Sequence, residues 1–355
     1  MSTELLAEAR RQVEICNACR YCEGYCSVFP AITRQRVFSD GDLTQLANLC
    51  HNCRGCYYAC QYTAPHQFAL NLPRVLAEVR HESWKEHAWP RGFARLFDRS
   101  GGVIALLIVV GTALLFAVAQ ALQPETGAGF YAYMSHSLMV AIFAPAFLLP
   151  LAAIGVSLRR YWQHVGGGRL SLAAVRDSFG ATAHMRNLSG GHGEGCNFED
   201  GERYSNARRW FHQATLFGFL LCFASTSSGT VLHYGFGLEA PYGFWSMPKL
   251  LGVPGGILLC IGTGGLAYLK TKADPDLGAP AVWGGEMAFV ALLFAVSLTG
   301  LALYAATGTG AVPWLLPIHL GTVLAFFLLT PYSKMAHGFY RVAALLADAS
   351  ARRGG

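Results

Sequence analysis

Apolar and polar positions follow two rhythms along this chain. Through the first hundred residues they recur at helical spacing. Ser39-Asp40-Gly41-Asp42 precedes a Leu43/Leu46/Ala47 face and reads as a capped helix start, and "LNLPRVLAEVRHESWKEHAW" reads as a second helix after Pro73. Neither stretch shows the alternation of a strand. From Val103 onward apolar runs dominate, at about 103–122, 134–158, 210–232, 250–269, 286–306 and 314–333. Each is long enough to cross a bilayer. The alternative, core helices of a soluble protein, fits six uncharged runs of this length poorly. The pattern predicts an all-α chain in two domains. Residues 1–99 form a soluble helical domain, and residues 100–355 form six spans with a loop at 159–209.

Charge orients the spans. If the N-terminal domain is cytoplasmic, the inside segments 1–99, 159–209, 270–272 and the stretch after Pro331 hold 12, 8, 2 and 4 Lys/Arg, which leaves only Lys249 of the 27 outside. This bias predicts a multi-pass protein of the bacterial cytoplasmic (inner) membrane with both termini inside. The lipid bilayer is thus the first partner expected. The net charge of +6 is not a nucleic-acid signal, because the basic residues form no stripe with interleaved aromatics. The polar start "MSTELLAEARRQVEIC" has no signal-peptide core, so the 11 cysteines are expected to face a reducing compartment.

Eight of those cysteines fall in two cassettes. "CNACRYCEGYC" holds Cys16, Cys19, Cys22 and Cys26; "CHNCRGCYYAC" holds Cys50, Cys53, Cys56 and Cys60, both with C-x2-C-x2-C-x3-C spacing. In the bacterial two-cluster pattern of this spacing the fourth Cys of each run ligates the other cluster. Carried over, Cys16, Cys19, Cys22 and Cys60 hold one [4Fe–4S] cluster, and Cys50, Cys53, Cys56 and Cys26 hold a second. Structural zinc, the alternative, usually takes two ligands from each of two separated pairs. The proline that commonly follows the fourth Cys is replaced by Ser27 and Gln61, with Pro30 and Pro65 a few residues later. His51 and His66 beside the cassettes read as solvated or supporting groups.

Five histidines lie at or near span ends: His136, His233 and His319 outside, His212 and His337 inside. Neutral imidazole is a haem ligand. His319 and His337 are 18 residues apart, five full turns, so they share a face; His212 and His233 are 21 apart, about 60° off one face. These spacings rise about 27 and 31 Å, close to the hydrocarbon thickness. Two such helices offer an inner haem between His212 and His337 and an outer haem between His233 and His319, with His136 competing for the outer place. Interfacial histidines bonded to neighbours or water are the plain alternative. No C-x-x-C-H occurs, so any haem is b-type.

Other features weigh less. The loop "LSGGHGEGCNFEDGERYSNARRW" holds His192, Glu194 and Cys196 but reads as a turn or docking surface before a metal site. No G-x-G-x-x-G follows a strand, so flavin or nicotinamide within the chain is not expected. Cys222 and Cys260 read as small apolar filler. Glu286 reads as an interfacial carboxylate before a proton relay for quinone. No nucleophile–base constellation stands out, so the chain reads as an electron-transfer subunit: clusters collect electrons from a soluble dehydrogenase, and haem delivers them to membrane quinone.

The stretches "CRYCEGYCSVFPA", "APHQFALNLPRVLAEVR", "GGHGEGCN", "ARRWFHQATLFGFLLCFAS" and "LPIHLGTVLAFFLLTPYSKMAHGFYR" resemble the tricarballylate-utilisation protein B family, also called citrate-utilisation protein B, over nearly the whole length. The resemblance implies an α-helical ferredoxin-type domain with two [4Fe–4S] clusters, fused to a six-helix, cytochrome b-like bundle. It also implies a role: reoxidising the flavin of a soluble FAD-dependent tricarballylate dehydrogenase and passing electrons to quinone. The head is similar to helical ferredoxin modules of heterodisulfide-reductase type, and the bundle to the cytochrome subunit of respiratory nitrate reductase, by fold analogy only. The same wire serving another flavoprotein, or a redox-gated transporter or sensor, are the other readings.

Overall fold

The computed structural model describes residues 1–122, 132–190, 193–196 and 203–354. Among these there are helices and turns but no strand; one isolated antiparallel bridge joins Cys196 to Ser205. The head comprises α1 (Thr3–Cys19), α2 (Val28–Thr33), α3 (Asp40–Leu49), α4 (Gly55–Tyr58) and α5 (Leu72–His87). The expected cap forms at α3: Ser39 Oγ accepts from the Asp42 N–H at 3.2 Å, and the Asp42 carboxylate accepts from the Ser39 N–H at 2.9 Å. Reciprocal bonding of this kind satisfies two otherwise orphaned donors. Leu43, Leu46 and Ala47 are then buried together as the pattern predicts.

Among the described residues, six helices are long and apolar enough to cross a membrane. They are the Ser100–Leu122 part of α6 (Arg91–Leu122), α7 (His136–His164), α9 (Ala207–Phe236), α10 (Met247–Lys272), α11 (Trp283–Ala305) and α12 (Val312–Leu329). Ser100 breaks the helical path of α6 where it leaves the head. Ala105, Leu259, Phe289, Leu292, Ala325 and Phe326 bind α6, α10, α11 and α12 around one apolar core. Leu106, Leu107, Val110, Leu114 and Leu115 face outward, as apolar side chains in lipid do.

Between α9 and α10 the backbones nearly touch. A Cβ on Gly218 would stand 2.6 Å from the Leu259 nitrogen and 2.8 Å from the Gly255 carbonyl; one on Gly262 would stand 2.7 Å from the Phe211 carbonyl. Small residues at such crossings let helices approach where no hydrophobic force drives them together. The tight seam fixes the position of α9, and with it His212.

Two further helices follow the head. α8 (Leu172–Ala183) lies in the loop after α7, and α13 (Ala336–Gly354) follows the last span. Ala336, Tyr340, Ala343, Ala344 and Leu345 of α13 share a core with Ala9, Leu43, Leu76 and Val79 of the head and with Tyr161 of α7. Residues beyond 335 thus pack with the N-terminal helices and not only with the spans.

Candidate functional site

The first cassette starts in the last turn of α1, which carries Cys16 and Cys19. Arg20 leaves the helix in the left-handed region (φ 57°), its N–H bonded to the Cys16 carbonyl at 2.9 Å. The second begins at Cys50, the residue that ends α3, and passes two more left-handed residues, Asn52 and Arg54, into α4. Cys16, Cys19, Cys22, Cys56 and Cys60 line one cavity of about 220 Å3.

Electrostatic neighbours tie the sulfurs of the two cassettes together. Burial pushes the Cys16 and Cys22 thiols up to about 12; Cys60 presses hardest on both after burial, and Cys19 also acts on each. Burial likewise raises Cys26, then Cys53 and Cys50; it raises Cys56, then Cys53, Cys50 and Cys26. Cys53 runs the other way, pulled down first by the Cys196 thiol and further by the Gly55 N–H and Arg208. Cys60 thus lies close to Cys16 and Cys22, and Cys26 close to Cys50 and Cys53, while Cys22 also neighbours Cys53 and Cys56 across the two expected sets. All are free thiols. Among the described residues no three His, Cys, Asp or Glu side chains converge on one bare ion. A four-iron cube does not ask for that, because each thiolate takes a different iron. Free thiols gathered from both cassettes, with no other ligand type among them, fit such clusters.

Three arginines from three helices hold the second cassette by its main chain. Arg80 of α5 donates to the Cys50 carbonyl at 2.7 Å, and Arg341 of α13 donates to the same oxygen at 2.6 Å. Arg208 of α9 donates to the Asn52 carbonyl at 2.7 Å and the His51 carbonyl at 3.0 Å. Four residues along α9 from Arg208 is His212, and four residues before Arg341 is His337. One helical turn therefore separates the sulfur loop from the inner histidine pair on each side.

His212 and His337 come together as expected, their rings edge to face with centroids 5.8 Å apart. His337 Nδ1 is bonded to the Lys334 carbonyl. A carbonyl only accepts, so Nδ1 carries the proton and Nε2 presents its lone pair, the arrangement that orients metal-ligating histidines. Burial, then Arg341, holds His337 well below the ordinary imidazole range, in the neutral form that ligates. His212 Nδ1 is buried without a hydrogen-bond partner. These features fit a pair that would hold a haem.

The outer pairing differs from the sequence expectation. His136, at the start of α7, stacks on His233 with centroids 4.1 Å apart and planes 21° from parallel. His319 is two turns inside α12 and turns instead to α11, where Nδ1 meets Thr299 Oγ1 at 3.0 Å. Gly300 makes the berth: a Cβ there would lie 3.0 Å from the His319 ring. The competitor named from the sequence thus takes the place beside His233. Faces in contact leave no slot for a macrocycle between these two rings.

The remaining candidates find other settings. His51 is bonded through Nδ1 to the Leu49 carbonyl at 2.9 Å, and His66 Nδ1 accepts from the Phe68 N–H at 3.1 Å. His192 lies outside the described residues. Cys196 is fully buried against Cys53, Met185, Leu188 and Leu269, so the Gly-rich loop docks on the second cassette. Cys222 packs in the bundle core, and Cys260 Sγ meets Ser297 Oγ at 3.1 Å. Glu286 bridges Lys270, at 2.6 Å, and Lys334, tying the head ends of α10 and α11 to the segment before α13. Sequence reading passed over Arg80, Arg208 and Arg341. The signal was present for two of them in R-x3-H and H-x3-R, each an arginine one turn from a candidate ligand.

A family model described as citrate utilization protein B matches residues 99–354, and one described as the citrate utilization protein B Fer4-like domain matches residues 9–87. The chain is similar to citrate utilization protein B of Escherichia coli, 41% identical over 358 residues that cover 99% of this chain and 94% of that protein. No solved structure matches.

Proposed function

We propose, from the premise that the chain belongs to the citrate utilization protein B family, that it carries electrons from a reduced flavoprotein to membrane quinone during use of citrate or a related tricarboxylate. The Fer4-like match over residues 9–87 supports iron–sulfur chemistry in the head, and the six apolar helices support a multi-pass membrane protein. In this reading the two cysteine quartets hold two [4Fe–4S] clusters, and His212 with His337 holds a b-type haem. When bound, these groups supply one-electron carriers. The charge bias supports a head and α13 on the cytoplasmic side of the inner membrane, where a soluble flavoprotein can reach them.

One observation carries the reading: Arg208 and Arg341 grip the Cys50–Asn52 backbone one helical turn from His212 and His337. The protein's own groups thereby hold the second quartet and the inner imidazoles in one rigid frame. The thiols supply donors, the arginines fix the loop, the Lys334 carbonyl sets the His337 tautomer, and burial keeps water from the pair.

The test supplies purified protein in lipid nanodiscs with a menaquinone analogue and a flavoprotein tricarballylate dehydrogenase. Quinone reduction that requires both proteins and tricarballylate is expected. Reduction by a different reduced flavoprotein but not this one would keep the wire and change its source. No reduction by any reduced flavoprotein would remove the reading.

A further inference from the structure

We propose that Arg80, Arg208 and Arg341 make the second sulfur quartet the stronger electron acceptor of the two, and so fix the direction of flow toward His212 and His337. The inference rests on the iron–sulfur reading above and adds an order to it.

The two quartets sit in unlike surroundings. The first opens outward: Cys19 is exposed, and Tyr21 beside it is 69% exposed. The arginine adjoining it, Arg20, is exposed and spends its Nε on the Asn17 carbonyl at 3.0 Å. The second lies between the head and the spans, and three guanidiniums close on the consecutive carbonyls of Cys50, His51 and Asn52. Arg80 is 6% exposed. The charged neighbours of Arg341 are Arg80 and Arg208, which oppose its charge, and Cys50 and Cys53, which favour it. Gathering like charges away from water is costly unless an anion lies among them. A thiolate-ligated cluster is that anion.

Reduction adds one negative charge to a cluster and breaks no bond. Burial alone opposes the added charge, whereas cations held nearby in a poorly screening interior favour it. Net charge and hydrogen bonding around the sulfurs are among the controls on cluster potential. The reductant is the reduced flavin of the partner, which gives up its two electrons singly. Each electron passes from the outward quartet, which is reoxidised, to the inward quartet, which is reduced. Quinone finally takes two electrons and two protons.

The test is a redox titration of full-length protein followed by electron paramagnetic resonance, in the unsubstituted chain and in Arg341→Gln, Arg80→Gln and Arg341→Lys. The signal lost in Cys50→Ser identifies the second quartet. Its midpoint is expected above that of the first quartet, to fall in both Gln variants with the first unmoved, and to be largely restored by Lys. An unmoved second midpoint, equal shifts of both, or a first quartet that starts higher would overturn the proposal. If Arg341→Gln loses the second cluster, Arg80→Gln and Arg341→Lys are judged by the same criterion. Absence of both signals from the unsubstituted protein would instead remove the iron–sulfur reading.

Discussion

His136 and His233 stack ring on ring, 4.1 Å between centroids, at the end of the bundle away from the head. Each sits at a helix end, His136 opening α7 and His233 in the last turn of α9, while His319 is engaged with Thr299. Rings in face-to-face contact leave no room for a macrocycle, so a single haem per chain is expected, at the inner pair. His136→Ala and His319→Ala should both leave the b-type absorbance of a reduced-minus-oxidised spectrum in place. Loss of about half of that absorbance in His136→Ala would instead make the outer pair a haem site.

At the inner pair, His337→Ala and His212→Ala are expected to abolish the same spectral component while the iron–sulfur signals persist. An unaltered spectrum in either variant would break the assignment.

Cysteine exchange between cassettes gives a sharper test than counting metal. Cys60→Ser is expected to disturb the same cluster as Cys16→Ser, leaving about four of about eight irons. Cys26→Ser should pair with Cys50→Ser. If Cys60→Ser instead matched Cys50→Ser in its resonance signal, each cassette would be holding its own cluster.

The α9–α10 seam makes its own prediction. Gly262→Val places methyl groups where Phe211 and Thr215 already stand, at a cost of about 1–3 kcal/mol. Because His212 follows Phe211, the melting temperature should fall and the inner haem spectrum should broaden together. A spectrum unchanged despite a lowered melting temperature would separate the seam from the site.

Acid should loosen the head. His87 is buried with Nδ1 on the Ser83 carbonyl at 2.6 Å, among the rings of Tyr161, His164 and Tyr340. Burial lowers its pKa; the nearby charged groups are His164 and Arg91, which lower it too, and Glu86, which raises it. The unfolded chain protonates near 6.5, so the unfolded state binds the proton more readily. The contribution to stability is complete above about 6.5 and declines as pH falls toward the depressed value. Melting of the head between pH 8 and 5, followed by tryptophan fluorescence, should show this decline, and His87→Gln should flatten it. Identical slopes would exclude His87 as the cause.

Much of this arrangement was legible in the residues alone. The α3 cap and the six apolar helices follow from local spacing, because helix periodicity is a short-range property. His212 meets His337 as expected, but counted turns do not explain it: α12 ends at Leu329 and α13 begins at Ala336, so His319 and His337 share no helix. His319 escaped that method: its direction is decided by Gly300 and Thr299 on a third helix, and no periodicity within α12 reports them. The arginines were missed for a related reason. Their targets are main-chain carbonyls about 30 to 290 residues away, and a carbonyl leaves no mark in a sequence.

The interlocking of α13 with the head sets an order of events in the cell. The ribosome delivers the cysteine cassettes first and Tyr340, Arg341 and Ala344 only after every span has emerged. Until then the housing lacks one wall and one of the three groups that grip the Cys50 loop. Closure of the cysteine-bearing compartment thus waits for the last apolar helix, and a chain stalled before that point is left with its sulfurs uncovered.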